Sequence, residues 1–221
     1  MGAQMAGSIV LLRKSSGCLD YQSVLMAQRQ WVERMVATGG PGLFWLLEHG
    51  SVYTVGRSGQ HAEILDRAIP VVPTDRGGRV TWHGPGQTVG YVLIDLRPDH
   101  HAVRAHVYRL EEMVIQTLAG LGVEAERESH HPGVWVNGEK IAALGVRIRH
   151  GVAYHGFAVN RDPDLKAFAA IVPCGLSGRG VTSLARLGVT VSRTELEERL
   201  VLAFQKQFPL VRMMEEPCPE S

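Results

Sequence analysis

The chain has 221 residues and a mass of 24.2 kDa. It carries 23 Lys+Arg against 22 Asp+Glu, with 45% hydrophobic and 20% charged residues. This length suits one large domain or two small ones, and this composition excludes wholesale disorder. The near-zero balance leaves no basic footprint for nucleic acid or an anionic membrane surface. The longest stretch free of Asp, Glu, Lys and Arg, Val80 to Ile94, is interrupted by His83, Pro85 and Gln87, so no segment is expected to span a bilayer.

In chain order, Ser8 to Arg13 reads as a short strand. A helix is expected from the N-cap Asp20 to Thr38, with an apolar face from Tyr21 to Val36, stopped by Gly39-Gly40. Leu43 to Leu47, Ser51 to Val55, Val80 to Trp82 and Thr88 to Leu96 are strand-like, the last two joined through the turn-forming Gly84-Pro85-Gly86. A second helix runs from about His101 to Ala119, with Val103, Val107, Leu110, Val114 and Leu118 on one face. Val134 to Val136 and Lys140 to Ile148 flank Asn137-Gly138, a two-residue hairpin signal, and His150-Gly151 turns the chain into Val152 to Val159. A last helix begins at the capping box opened by Ser192 and Glu195. Hairpin-linked strands with interspersed helices predict an α+β fold, with a mixed, mainly antiparallel sheet flanked by helices. No repeat or linker divides residues 1–221, so one domain is expected, with a core of about 8–210 and a flexible Pro-rich tail at 211–221.

Chemistry concentrates in three places. Asp75 to Gln87 (DRGGRVTWHGPGQ) holds four of the chain's 25 glycines beside Arg76, Arg79, His83 and Gln87. Such a segment either approaches a ligand with its backbone or is an ordinary turn, and it matches neither a Walker A loop nor G-x-G-x-x-G. Cys174, in Val-Pro-Cys-Gly, sits in a loop where a thiol is reachable, although a lone cysteine is more often a small buried hydrophobe. Lys140 opens a strand (KIAALG) and is either a solvated strand end or an ammonium that lowers a thiol's pKa. Three scattered cysteines argue against a disulfide framework and for a reducing compartment. The ten histidines form no H-E-x-x-H, so no metal is expected.

Taken together, RGGRVTWHGPGQ, GEKIAALGVRIRHGVAYHGFAVN and IVPCG resemble, in order and spacing, the lipoyl(octanoyl) transferases of lipoate synthesis. The one departure is Trp82, where that family usually carries Tyr or Phe; it is expected to widen an aromatic wall. The resemblance implies the sheet-and-helix core shared with biotin and lipoate protein ligases. It implies transfer of an octanoyl group from acyl carrier protein to one lysine of the lipoyl domains of 2-oxoacid dehydrogenases and the glycine cleavage H protein. Cys174 falls on the family's acyl-thioester nucleophile and Lys140 on its partner lysine. The substrate-binding segments fall on Arg76, Gly77, Gly78, Arg79, Val80, Thr81, Trp82 and His83, on Ala143, Leu144 and Gly145, and on Gly156, Phe157 and Ala158. The resemblance implies no cofactor and a cytoplasmic location, and a monomer is expected. The rival readings are an ATP-dependent lipoate or biotin ligase on the same core and a non-catalytic binder of carrier or lipoyl domains.

Overall fold

The computed structural model describes residues 8–65, 68–97, 102–128, 131–171 and 180–216. The chain runs β1 (Ser8–Leu19), α1 (Tyr21–Thr38), β2 (Gly42–His49), β3 (Val52–Val55), β4 (Val71–Pro73), β5 (Val80–His83) and β6 (Gln87–Asp95). There follow α2 (Ala102–Ala119), β7 (Glu126–Arg127), β8 (Gly133–Val136), β9 (Glu139–Arg149), β10 (Val152–Asn160), α3 (Lys166–Ala169), α4 (Arg193–Gln207) and β11 (Val211–Glu215). Eight strands make one sheet in the order β11-β1-β2-β6-β10-β9-β8-β7, and β4-β3-β5 make a small second sheet. In the large sheet only the β11-β1 and β1-β2 pairs are parallel; the remaining ladders are antiparallel.

Local signals set several boundaries. The Asp20 carboxylate accepts from Ser23 N–H at 2.8 Å, and Gly39 in the left-handed region (φ 67°) returns its N–H to Met35 O, so both ends of α1 are satisfied. Asn137 (φ 51°) and Gly138 (φ 80°) make the two-residue turn between β8 and β9, where both central residues need positive φ. His150 and Gly151 repeat it between β9 and β10. Ser192 Oγ accepts from Glu195 N–H at 3.1 Å and starts α4.

Strand alternation then splits the interior in two. One face of the large sheet, with Phe44, Val92, Phe157 and Val159, packs against α2 and α4 through Leu110, Met113, Leu200 and Phe204. The other face, with Trp45, Tyr91 and Tyr154, packs against Val24, Val32 and Met35 of α1. The small sheet has its own cluster of Tyr53, Val55, Val80 and Trp82 with Phe168 and Ile171.

Three expectations change here. β1 continues to Leu19, well past Arg13. β5 and β6 do not form one hairpin ladder, because Gly84-Pro85-Gly86 carries the chain from the small sheet to the large one. Val211–Glu215, expected as the start of a tail, is instead a parallel edge strand on β1. The Arg13 guanidinium holds the Glu216 carboxylate just beyond it. No helix among the described residues is long and apolar enough to cross a membrane.

Candidate active site

The register of β9 and β10 pairs Ala143 with Ala158 and Gly145 with Gly156. Directly opposed residues share a face, so these four small side chains form one patch of the sheet. Over it lies the Arg76–Gly78 loop, whose Gly77 N–H bonds Val146 O at 3.2 Å. A Cβ at Gly145 would come within 2.9 Å of Gly77 O, and a Cβ at Gly156 within 2.1 Å of Gly90 O. These two glycines therefore admit neighbouring backbone, and the open space is left by Ala143, Ala158 and the loop above them.

That space is a cavity of about 450 Å³. Its wall includes Arg76, Gly77, Gly78, Arg79, Val80, Thr81, His83, Lys140, Ala143, Leu144, Gly145, Gly156, Phe157 and Ala158, all residues singled out from the sequence. Trp82 does not line it. Its ring lies in the small sheet's cluster, edge-on to Phe168 at 5.4 Å, with Nε1 donating to Ser51 Oγ at 2.9 Å. The contacts with Phe168 and Ser51 hold the ring within that cluster, so the aromatic wall expected of it is absent. Cys174 lies outside the described residues. Ile171 and Gly180, which bound its stretch of chain, both line the cavity.

Two polar walls shape the cavity. Arg76 is buried and donates to Thr54 Oγ1 (2.8 Å from Nη2), Thr54 O (2.8 Å), Gly77 O (2.9 Å) and Arg79 O (2.8 Å). The guanidinium thereby ties its own loop to β3. Arg79 in turn pairs with Glu63 at 2.8 Å. Lys140 is the second residue of β9: its backbone N–H donates to Gly180 O and its carbonyl accepts from Thr182 N–H, both at 3.0 Å. Its Nζ donates to Pro132 O at 3.2 Å and sits 4.7 Å from the Trp135 ring centroid, a favourable cation–π distance.

Behind these walls lie buried polar groups, of which the sequence singled out His83 but neither His49 nor the pairing of His155 with Asp75. His49 Nδ1 lies 3.1 Å from Leu19 O and Nε2 lies 2.7 Å from Tyr91 Oη. His83 stacks on Tyr21 with ring centroids 5.7 Å apart, and its Nδ1 lies 2.7 Å from Gln87 Oε1. Burial pushes His49 down to about 4 and, aided by the nearby His49 and Arg76, His83 down to about 3. Both rings are therefore neutral at physiological pH. His155, at φ 62°, holds Asp75 Oδ1 at 3.0 Å. Asp75 also accepts from Tyr154 Oη and faces Arg29, and these partners outweigh its partial burial and hold its carboxyl well below the usual range. A histidine in a strand with positive φ is the signal that points to this last group, and it is visible only in the backbone.

The sequence and fold have known counterparts. Residues 20–205 match the model of the lipoyl protein ligase A/B catalytic domain. An octanoyltransferase of Magnetococcus marinus is 58% identical over 163 residues, covering 74% of this chain and 77% of the relative. One from a Bradyrhizobium strain is 45% identical over 217 residues, covering 94% and 90%. Among solved structures, a lipoate-protein ligase A bound with ATP aligns with a TM-score of 0.75 at 17% identity, over 97% of this chain and 90% of that one. A bi-partite lipoate protein ligase from Thermoplasma acidophilum, studied with its E2 lipoyl domain, aligns with 0.74 at 18% identity, over 97% and 88%. A biotin protein ligase from Aquifex aeolicus gives 0.51 at 13% identity, over 92% and 70%, so the three share this fold. On a family match across most of its length and octanoyltransferase relatives of nearly its full span, the chain belongs to the octanoyltransferases of the lipoyl protein ligase A/B catalytic-domain family.

Proposed function

We propose that this enzyme moves an octanoyl group from acyl carrier protein to a lysine of a lipoyl domain through a thioester on Cys174. The observation that carries the reading is a convergence. Lys140, the Arg76–His83 segment apart from Trp82, Ala143 and Ala158 line one cavity, and so do both residues that bound the stretch containing Cys174. The chemistry follows from ordinary acid–base properties. A free cysteine, with a pKa of about 8.5, is mostly thiol at neutral pH, and a neighbouring ammonium favours its thiolate. The Cys174 thiolate attacks the thioester carbonyl carbon, and the carrier's thiolate leaves with a proton. The acceptor lysine's amine nitrogen then attacks the enzyme thioester, loses a proton and expels the Cys174 thiolate, forming an amide. Acylation removes the negative partner of Lys140, so its ammonium becomes more acidic, and its neutral form serves as the base for the amine.

Thioester exchange has little net free-energy cost and aminolysis runs downhill, so neither step calls for ATP. The apolar cavity supplies a slot for the acyl chain, at about 0.8 kcal/mol per buried methylene. Intact mass spectrometry after mixing with octanoyl-acyl carrier protein tests the reading. One octanoyl adduct is expected on the wild type and none on Cys174→Ala. Transfer to the lipoyl domain with no adduct would overturn the covalent route. Transfer from free octanoate and ATP would instead identify a ligase.

A further inference from the structure

The hydrogen bonds behind His83 leave its ring no choice of tautomer. A backbone carbonyl only accepts, so the atom of Asn160 that lies 2.9 Å from Thr182 O is its donating Nδ2. Asn160 Oδ1 therefore faces Gln87 and accepts from Gln87 Nε2 at 2.9 Å. The same Nε2 is 3.5 Å from Trp82 O, a second acceptor on the donor side of that amide. Gln87 is thus left to present Oε1 to His83 Nδ1 at 2.7 Å, and Nδ1 must carry the proton. Both amides are buried, Gln87 at 1% and Asn160 at 4% exposure, so neither flips without losing two partners. The chain of bonds starts at Thr182, whose own N–H holds the Lys140 carbonyl. One short segment thereby sets the positions of Lys140 and His83 together.

We propose that Gln87 and Asn160 are positioning residues that hold His83 as its Nδ1–H tautomer, so that Nε2 accepts a hydrogen bond from an N–H of the incoming acceptor amine. Nε2 has no hydrogen-bond partner among the described residues, and the ring lines the cavity. A lone pair there repels the thioester oxygen and any oxyanion formed from it, so His83 is not the group that steadies that oxygen. It suits an amine, whose N–H bonds need acceptors while its lone pair attacks. With its basicity depressed, the ring orients the amine without removing its proton, which the mechanism above gives to Lys140. The identity of the amine rests on the proposed function; the tautomer does not.

Ring-nitrogen NMR of the histidine-labelled full-length protein at pH 7, with His83 assigned by its loss in His83→Gln, reads the tautomer directly. A neutral ring protonated at Nδ1 is expected; an Nε2–H or doubly protonated ring overturns the proposal. Gln87→Met removes the acceptor and should give mixed tautomers. It should also slow octanoyl transfer from pre-acylated enzyme to apo lipoyl domain about tenfold more than it slows acylation, the worth of one oriented hydrogen bond. Equal slowing of both steps, or none with the tautomer lost, overturns it. Should Gln87→Met fail to fold, the wild-type spectrum decides. A wild type that shows no covalent adduct refutes the thioester route, and the spectrum still decides the tautomer.

Discussion

His106 offers a measurement that isolates the cost of a buried histidine. It lies in α2 at 1% exposure, with its ring 6.0 Å from that of Phe208 and neither ring nitrogen hydrogen-bonded among the described residues. Burial, with the nearby Arg109 adding to it, lowers its pKa from 6.5 to about 4. The unfolded chain takes up a proton below about pH 6.5, whereas the folded chain resists until about pH 4. Stability is therefore fully present above the unfolded value and is lost as pH falls through that window. At 1.36 kcal/mol per pKa unit the limit is about 3 kcal/mol, of which about 2 kcal/mol falls between pH 7 and pH 5. His106→Leu removes the titration, fills the site with apolar atoms and removes a polar ring without hydrogen-bond partners. Urea unfolding at pH 7 and pH 5 should show the variant losing about 2 kcal/mol less than the wild type over that interval, with equal or higher stability at pH 7. Parallel losses in both proteins would refute the account and mean that the folded state protonates His106 as readily as the unfolded one.

Three further outcomes follow from the cavity and its supports. Gly156→Ala sets a methyl 2.1 Å from Gly90 O and 3.1 Å from its carbonyl carbon. Because the atoms it meets are β6 backbone, it should cost about 3 kcal/mol or more in thermal or denaturant unfolding, and a neutral result would mean that β6 and β10 separate easily. Ala158→Leu fills the small-residue patch opposite Ala143, so acyl-carrier substrates assayed by length should shift toward shorter chains. Each methylene excluded costs about 0.8 kcal/mol, close to fourfold in kcat/KM; an unchanged profile would place the acyl chain elsewhere. Arg76→Lys keeps the charge but loses the fork that reaches Thr54 and the loop carbonyls together. A loss of about 2 kcal/mol in stability is expected, with transfer reduced more than folding explains; full activity would leave Arg76 without a role in holding the loop.

Turn and cap chemistry acts over a few residues, and this is why so much of the architecture could be read along the chain. Asp20 with Gly39, Asn137 with Gly138, and Ser192 with Glu195 each satisfy or bend backbone within one turn, so α1, α4 and the β8-β9 hairpin lie where the residues place them. The glycine-rich segment, Lys140 and the small residues of β9 and β10 were legible in the same way, as motifs. What the motifs do not contain is register and facing. Whether Gly84-Pro85-Gly86 joins two strands of one sheet or crosses between two depends on which strands bury which faces, and that crossing turns Trp82 away from the cavity its neighbours line. Val211–Glu215 has little local strand signal and pairs because β1 presents an open edge. The sequence marked His83 as a polar group beside the glycine-rich turn and, by resemblance, as a substrate-binding residue. Its tautomer and its neutrality come from an amide relay spanning Gln87, Asn160 and Thr182, residues that only tertiary packing brings within hydrogen-bond distance.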